Sequence, residues 1–376
     1  MVPEPDGPVI RLAAPDIDAA DIAAVTEVLK TGYLVQGAHV REFEDHMARE
    51  VGVAHGVAVA NCTAALHLAL LALNIGPGDR VAVPAFSWLA TANVVVLCGA
   101  EPVFVDIEPC GYGMDPAALA TVLADPASFA AIMPVHALGA MADIRAITEL
   151  AADYGIPVIE DAACALGARQ GDRAAGAWGD VGCFSFHPRK AVTTGEGGML
   201  TTNDAGFARQ LRILRNHGLD PDSSSPNFIA AGFNLRLTEF QAALGVTQLA
   251  KLDALVERRR ALARRYTELF AGSPIAAPRE PAGTRHVYQS YAVLLPPGAA
   301  ARRTQVIAAL RERGIETTIG THHMPLTTFF RARGGYAPGD FPVTDDVAGR
   351  ALSLPLHSRL TDDDQMQVAS ALLAVL

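Results

Sequence analysis

Lysine is rare in this sequence, so the position of each lysine is informative. Of the 30 basic residues, only Lys30, Lys190 and Lys251 are lysines. Arginine effectively keeps its proton in proteins, whereas lysine can lose it and attack a carbonyl carbon. Lys30 lies at a predicted helix end and Lys251 on a predicted exposed helix, where any positive charge suffices. Lys190 follows an apolar strand pattern and enters a glycine-rich turn. It is the candidate amine nucleophile, with an ordinary surface lysine as the alternative.

Asp161 is the candidate partner of an aromatic nitrogen. It follows the short apolar run Val158–Ile159, one strand–helix unit before Lys190. A carboxylate there can pair with a protonated pyridine nitrogen and keep the ring an electron sink. A helix N-cap is the alternative role for Asp161.

Two hydroxyl groups and an indole complete the set of chemically suitable residues. Thr63 begins a predicted helix, where free backbone N–H groups and a hydroxyl suit a phosphate, although threonine is also a common N-cap. Ser185, near a strand end, supplies a second hydroxyl. Trp88 can stack on a flat ring, with packing in the core as the alternative. An amine, a carboxylate, a phosphate site and a ring stacker together indicate pyridoxal 5′-phosphate.

These residues must be positioned by a sheet. Strands that are apolar on both faces and alternate with helices predict an α/β fold with a mostly parallel central sheet, and side chains that meet at its carboxyl edge. The predicted strands are Val57–Ala60, Val81–Val83, Val103–Val105, Ala131–Val135, Val158–Ile159, Val181–Phe186 and Met199–Thr201.

The pattern changes after Asn234. Helical spacing over 237–249 and 252–270, a strand at 288–295, and helices at 303–313 and 362–375 predict a smaller α+β domain. We expect a large domain at 1–250 and a small domain at 251–376. The arginine cluster at 258–260 could bind nucleic acid, but the apolar residues around it follow helical spacing, which favours a solvated helix face.

Composition excludes several classes of protein. The 376 residues are 50% hydrophobic and 19% charged, which excludes a disordered or fibrous chain, and the net charge of −10 argues against nucleic-acid or anionic-membrane partners. Five cysteines without CxxC spacing predict no disulfide framework and no metal site. With no visible signal peptide, they favour a cytoplasmic location. Two stretches without charges, 56–77 and 82–99, are interpreted as buried α/β segments rather than membrane spans.

The ordered motifs resemble those of the DegT/DnrJ/StrS family of pyridoxal-phosphate-dependent nucleotide-sugar aminotransferases, over nearly the whole chain. That family has the fold type I, aspartate aminotransferase-like architecture. The matching segments are 32–37 (GYLVQG), 63–67 (TAALH), 160–163 (EDAA), 185–190 (SFHPRK), 194–198 (TGEGG), 232–236 (GFNLR) and 354–357 (LPLH).

The resemblance implies a role for each candidate. Lys190 would form the Schiff base with the cofactor, and Asp161 would contact the pyridine nitrogen. His187 would lie near the substrate, and Trp88 would stack on the ring. The phosphate would be held by Cys62 through its backbone, Thr63 and Ser185, and by Asn234 reaching the neighbouring subunit, which implies a homodimer with shared active sites.

The resemblance also implies the reaction. An amino acid, expected to be L-glutamate, would donate its amino group to a nucleotide-linked ketosugar. His187, where relatives acting at C3 tend to have tyrosine, favours a 4-keto-6-deoxyhexose over a 3-ketosugar or a cyclitol ketone. The dehydratase branch carries histidine in place of Lys190, a nicotinamide dehydrogenase would need a glycine fingerprint that is absent, and a regulatory protein would need a DNA-binding module.

Two further points follow from the same resemblance. Cys164 stands where many members have Gln, Glu or His beside the cofactor's ring hydroxyl, which predicts a moderate change in cofactor affinity or spectrum. Polar side chains that could contact the nucleotide, or could equally be structural, are Arg236, His322, His323 and Tyr336.

Overall fold

The computed structural model describes residues 9–124 and 129–376. Its helices and strands are numbered here in chain order. The helices are α1 (Ala19–Thr31), α2 (Ala38–Val51), α3 (Cys62–Ala72), α4 (Ala90–Leu97), α5 (Pro116–Val122), α6 (Ile144–Tyr154), α7 (Ala205–Arg215), α8 (Glu239–Leu249), α9 (Leu252–Leu269), α10 (Arg303–Glu312), α11 (Thr328–Gly334), α12 (Pro342–Arg350) and α13 (Asp362–Val375). The strands are β1 (His55–Val59), β2 (Arg80–Pro84), β3 (Phe86–Ser87), β4 (Glu101–Val105), β5 (Phe129–Ile132), β6 (Ile159–Asp161), β7 (Arg169–Gln170), β8 (Arg173–Ala174), β9 (Val181–Ser185), β10 (Gly198–Thr202), β11 (Thr284–Arg285), β12 (Tyr291–Leu294), β13 (Thr318–Ile319), β14 (His322–His323) and β15 (Ala351–Leu354).

The seven predicted strands form the central sheet. Strand β6 pairs in parallel with β9, and β2 pairs in parallel with β4 and β5. Parallel bridges from Ile132 to Val158 and from Val135 to Asp161 join these two groups. The resulting order is β1-β10-β9-β6-β5-β2-β4. The predicted α/β class with a mostly parallel sheet is confirmed.

Strand β10 is the exception, because it runs antiparallel to both β1 and β9. Parallel neighbours need a long crossover, usually a helix, whereas antiparallel neighbours need only a loop. The connection from β9 to β10 is the loop 186–197, without a helix. It therefore stays at the carboxyl end of β9, and it carries Lys190 to the sheet edge where Asp161 lies.

A second packed layer lies after α8. Strands β12, β15 and β13 form an antiparallel sheet, and their core includes Tyr266, Leu310 and Leu372 from α9, α10 and α13. Several pairings connect it with the first half of the chain: β11 pairs with β7, β14 pairs with β3, and Ile10 bridges to Ile315.

The charge-poor stretches and the arginine cluster have structural explanations. The stretch 56–77 contains most of β1 and α3, and the stretch 82–99 contains most of β2 and α4. No described helix combines the length and apolarity that a membrane span requires. The solvated face predicted for the cluster is wrong at Arg259, which is buried and donates hydrogen bonds to the carbonyls of Tyr288, Gln289 and Leu356. Burial lowers the pKa of Arg259 to about 10.

Candidate active site

A cavity of about 570 Å³ lies at the carboxyl edge of the parallel strands. Its lining comes from strand and helix ends in the first half of the chain, from residues 318–322, and from Ser353, Leu354 and Leu356. The structure brings together seven of the eight site residues predicted from the sequence. They are Cys62, Thr63, Trp88, Asp161, Ser185, His187 and Lys190.

Lys190 is the one lysine in this cavity. Its Nζ lies 3.1 Å from Cys164 Sγ. Burial opposes its charge, but the neighbouring Cys164 and Asp161 more than offset this effect, so the pKa of Lys190 is raised above its ordinary value. Lys30 instead pairs with Glu27 on the surface, and Lys251, predicted to be exposed, is partly buried in ion pairs with Asp18 and Asp21.

Asp161 ends β6 and is buried against the cavity. Its Oδ2 accepts a hydrogen bond from Thr91 Oγ1 (2.8 Å), and its Oδ1 accepts one from the Ala163 N–H (3.2 Å). Burial raises the pKa of Asp161, while Thr91 opposes that shift. The alternative of a helix N-cap is excluded, because turns rather than a helix follow Asp161. Sequence reasoning missed Thr91.

The neighbouring Glu160 holds β6 in place from the face of the strand opposite to Asp161. Its carboxylate is fully buried and accepts hydrogen bonds from the N–H groups of Gly176, Trp178 and Gly179, at 2.6–2.8 Å, and lies 2.9 Å from His136 Nε2. The backbone N–H of His136 also donates a hydrogen bond to the backbone carbonyl of Asp161. Asp161 is therefore held by a strand whose backbone has little freedom.

The start of α3 offers a place for an anion. The Asn61 side chain caps the helix by accepting a hydrogen bond from the Ala64 N–H, while the Thr63 hydroxyl is exposed to the cavity and has no hydrogen bond with the residues the structure describes. Ser185 Oγ lies in the same cavity. Gly198 permits close packing of β10 against α3, because a Cβ there would lie 2.7 Å from Cys62 N.

Trp88 and His322 form an aromatic wall. The Trp88 side chain is 64% exposed, which excludes the alternative of core packing, and its ring lies 5.3 Å from that of His322. His322 was one of four candidate nucleotide contacts and is the one that lines the cavity. Its neighbour His323 pairs with Asp345, and Arg236 bonds to Asn216. The fourth candidate, Tyr336, packs against Phe104 and Phe341 elsewhere.

His187 enters the cavity as a hydrogen-bond donor. Its Nδ1 accepts a hydrogen bond from the Arg189 N–H at 3.2 Å, so the ring proton resides on Nε2. Burial lowers the pKa of His187; Glu196 opposes this shift, whereas Lys190 and Arg189 act in the same direction as burial. The imidazole is thus neutral near pH 7.

Asn234 is the predicted site residue that the structure does not bring to this cavity. It is exposed and bridges to Asn216. Large apolar side chains are exposed close to it in the sequence and in the 32–37 motif. They are Tyr33, Leu34, Val35, Phe228, Ile229 and Phe233.

The cavity fits pyridoxal phosphate by the chemistry of its side chains. The buried Asp161 carboxylate has no cation in hydrogen-bond contact among the described residues, which suits a protonated ring nitrogen. Free donors at the start of α3 suit the phosphate, the exposed indole suits the ring, and Lys190 supplies an amine. No residue in the set conflicts with the cofactor.

Comparisons with known proteins agree with this chemistry. Residues 15–373 match the DegT/DnrJ/EryC1/StrS aminotransferase family. The chain is 39% identical over 374 residues to GDP-perosamine synthase from Caulobacter vibrioides, covering 99% of each protein. Its structure resembles the PMP form of a putative sugar aminotransferase, Spr1654 from Streptococcus pneumoniae (TM-score 0.92, 27% identity, 98% and 97% of the two chains). It also resembles Helicobacter pylori PseC, an aminotransferase involved in the biosynthesis of pseudoaminic acid (TM-score 0.91, 26% identity, 97% and 98%). The chain belongs to the DegT/DnrJ/EryC1/StrS family and is a pyridoxal-phosphate-dependent sugar aminotransferase.

Proposed function

We propose that the enzyme transfers the amino group of L-glutamate to a 4-keto-6-deoxyhexose linked to guanosine diphosphate. The observation that carries this proposal is the match to GDP-perosamine synthase, a relative aligned over 99% of both chains. His187 in the cavity supports the same acceptor class, because relatives that act at C3 tend to have tyrosine at this position.

Each predicted site residue in the cavity has a role in this proposal. Pyridoxal phosphate, when bound, supplies an electron sink that allows the amino group to leave the donor and enter the acceptor. Lys190 Nζ would hold the cofactor covalently, and its free amine would move a proton to and from the reacting substrate carbon. Asp161 holds a proton on the ring nitrogen. Thr63, Ser185 and the Cys62 N–H hold the phosphate, and Trp88 covers the ring.

His187 orients the acceptor in this scheme. A neutral imidazole with its proton on Nε2 donates a hydrogen bond to a sugar oxygen without adding a charge. Lysine at position 190 also argues against dehydration, because the dehydratase branch of the family carries histidine there.

The working unit is a homodimer in this proposal. Asn234 lies outside its own cavity and is close in the sequence to exposed apolar side chains, including Phe233 and Phe228. Exposed apolar patches of this kind are typical of protein–protein interfaces. A second copy covering this surface would bring its Asn234 to the phosphate of the first.

The acceptor is identified by a half-reaction assay. The purified protein is loaded with pyridoxal phosphate and treated with L-glutamate, which should abolish the absorbance of the lysine-linked cofactor. Excess glutamate is removed, and 4-keto-6-deoxyhexoses and 3-ketohexoses are supplied as guanosine, uridine and thymidine diphosphate derivatives. Recovery of the absorbance with the guanosine-linked 4-ketosugar supports the proposal. Recovery with a 3-ketosugar alone, or with another nucleotide alone, would refute the acceptor.

A further inference from the structure

The cavity has few positive charges for the substrates it must hold. Among the described residues that line it, the cations are Arg189 and Lys190, and the carboxylates are Asp161 and Glu196. The cofactor phosphate and the diphosphate of a nucleotide sugar each bring about two negative charges near pH 7. Lys190 is committed to the reaction and contacts Cys164. Among the described residues that line the cavity, Arg189 is therefore the remaining cation that can meet an anion.

The backbone of Arg189 is fixed on both sides. Its N–H donates to His187 Nδ1, and its carbonyl accepts a hydrogen bond from Gln289 Nε2 at 2.9 Å. The residue is exposed, and its guanidinium makes no hydrogen bond or ion pair with the residues the structure describes. Such a group can bind a ligand with little loss of free energy, because no existing contact must be broken.

We propose that Arg189 binds the diphosphate of the nucleotide sugar and so selects acceptors that carry this group. This inference rests on the proposed function for the presence of a nucleotide-linked acceptor. The planar guanidinium presents paired N–H donors that match two phosphate oxygens, which a lysine ammonium does not.

The position of Arg189 favours contact with the diphosphate of the acceptor over contact with the carboxylates of the amino-acid donor. The α-carboxylate of an amino acid is bonded to the reacting carbon and must lie deep, close to Lys190 Nζ. The diphosphate is bonded to C1 of the sugar, across the ring from a reacting C4, and must point outward. Arg189 lines the cavity and is exposed to solvent, as a residue that meets the outward group must be.

The test is calorimetric binding of nucleoside diphosphates to the cofactor-loaded enzyme, using GDP, UDP and dTDP with guanosine as the uncharged probe. The variants are Arg189→Gln and Arg189→Lys, and Arg311→Gln on the exposed side of α10 is the matched control. Loss of a charge-assisted contact should weaken the tightest-binding diphosphate by roughly 10- to 100-fold in Arg189→Gln, with partial retention in Arg189→Lys. Guanosine binding and the KM for L-glutamate should not change.

Two results would overturn the inference. Unchanged diphosphate affinity in Arg189→Gln would assign the anion to another cation, such as one from a second copy of the chain. A raised KM for glutamate with unchanged diphosphate binding would assign Arg189 to the donor.

A different result would separate this inference from the proposed acceptor. Tight binding of UDP or dTDP in place of GDP, still lost in Arg189→Gln, would refute the guanosine-linked acceptor and leave the role of Arg189 intact.

Discussion

At the residue scale, Cys164 is a neighbour that raises the pKa of Lys190. Replacing Cys164 with alanine removes one of the groups that raise the pKa of Lys190, while the burial that lowers this pKa remains and is still opposed by Cys62 and Asp161. Only the neutral amine joins an aldehyde, so the pH profile for cofactor attachment to the cofactor-free protein should move to lower pH. Cofactor attachment should be faster in Cys164→Ala than in the original protein near pH 7.5. The two rates should become equal above the pKa of Lys190 in the original protein.

The measurement is the rate of appearance of the lysine-linked cofactor absorbance between pH 6.5 and 10. Cys110→Ala, a partly buried thiol outside the cavity, is the control and should leave the profile unchanged. An identical profile in Cys164→Ala would show that the thiol has no influence on the amine.

The hydrogen bond from Thr91 opposes the burial that raises the pKa of Asp161. Thr91→Val is nearly isosteric and removes the 2.8 Å hydrogen bond, so the pKa of Asp161 should rise further. A larger fraction is then protonated at a given pH, and the carboxylate needed by the ring nitrogen is lost as the pH falls. The dissociation constant of pyridoxal phosphate should increase roughly tenfold, and more at pH 6 than at pH 8.

Equilibrium dialysis at both pH values measures this effect. Thr26→Val, in which the lost hydroxyl bonds only to its own helix, serves as the comparison. Equal affinities for the original protein and Thr91→Val at pH 6 would contradict the assigned hydrogen bond.

Sequence reasoning finds some of these residues and not others, for a physical reason. Lys190, Asp161 and Trp88 are recognisable because their side-chain chemistry is distinctive and each follows an apolar strand. Thr91 lies 70 residues from Asp161 and meets it only through packing of α4 on the sheet. The guanidinium of Arg189 likewise has no hydrogen-bond or ion-pair partner among the residues that the structure describes, and no local sequence pattern encodes this.

At the scale of elements, strand β6 depends on Glu160. Removing its carboxylate in Glu160→Ala takes this acceptor from the buried Gly176 N–H and His136 side chain and from the partly buried N–H groups of Trp178 and Gly179. Each unsatisfied buried group costs about 1–3 kcal/mol, so the free energy of unfolding should fall by at least roughly 3 kcal/mol. Urea unfolding measures the change, with exposed Glu312→Ala as the reference variant. A loss below about 1 kcal/mol would contradict this role.

The strands were predictable where burial makes them apolar on both faces. The direction of β10 was not, since it depends on the helix-free loop from β9 rather than on its own residues. The two-residue strands β3 and β14 are too short for any periodic pattern, yet their pairing brings His322 to Trp88.

On the scale of the whole molecule, we propose that 1–250 and 251–376 are the two domains. The core around Tyr266 and Leu372 is drawn from the second range. The pairings of β11 with β7 and β14 with β3 connect the two ranges and bring residues 318–322 to the cavity.

The proposed sharing of active sites between subunits predicts the behaviour of mixed dimers. Lys190→Ala and Asn234→Ala subunits should each be inactive or weakly active alone. In a dimer containing one of each, one site receives both changes and the other receives neither. A twofold dimer has two equivalent sites, so the mixed dimer should regain about half of the original activity. Purification through two different affinity tags isolates it, and no recovery would show that Asn234 acts within its own subunit.

Covalent attachment at Lys190 is the claim on which the enzyme chemistry depends. Borohydride reduction of the cofactor-loaded protein, followed by peptide mapping, tests it most directly. Lys30 and Lys251 are already held in ion pairs with carboxylates, whereas Lys190 faces the cavity. We expect the reduced label on the peptide containing Lys190, and no label in Lys190→Arg. A label on Lys30 or Lys251, or none on the original protein, would contradict the account.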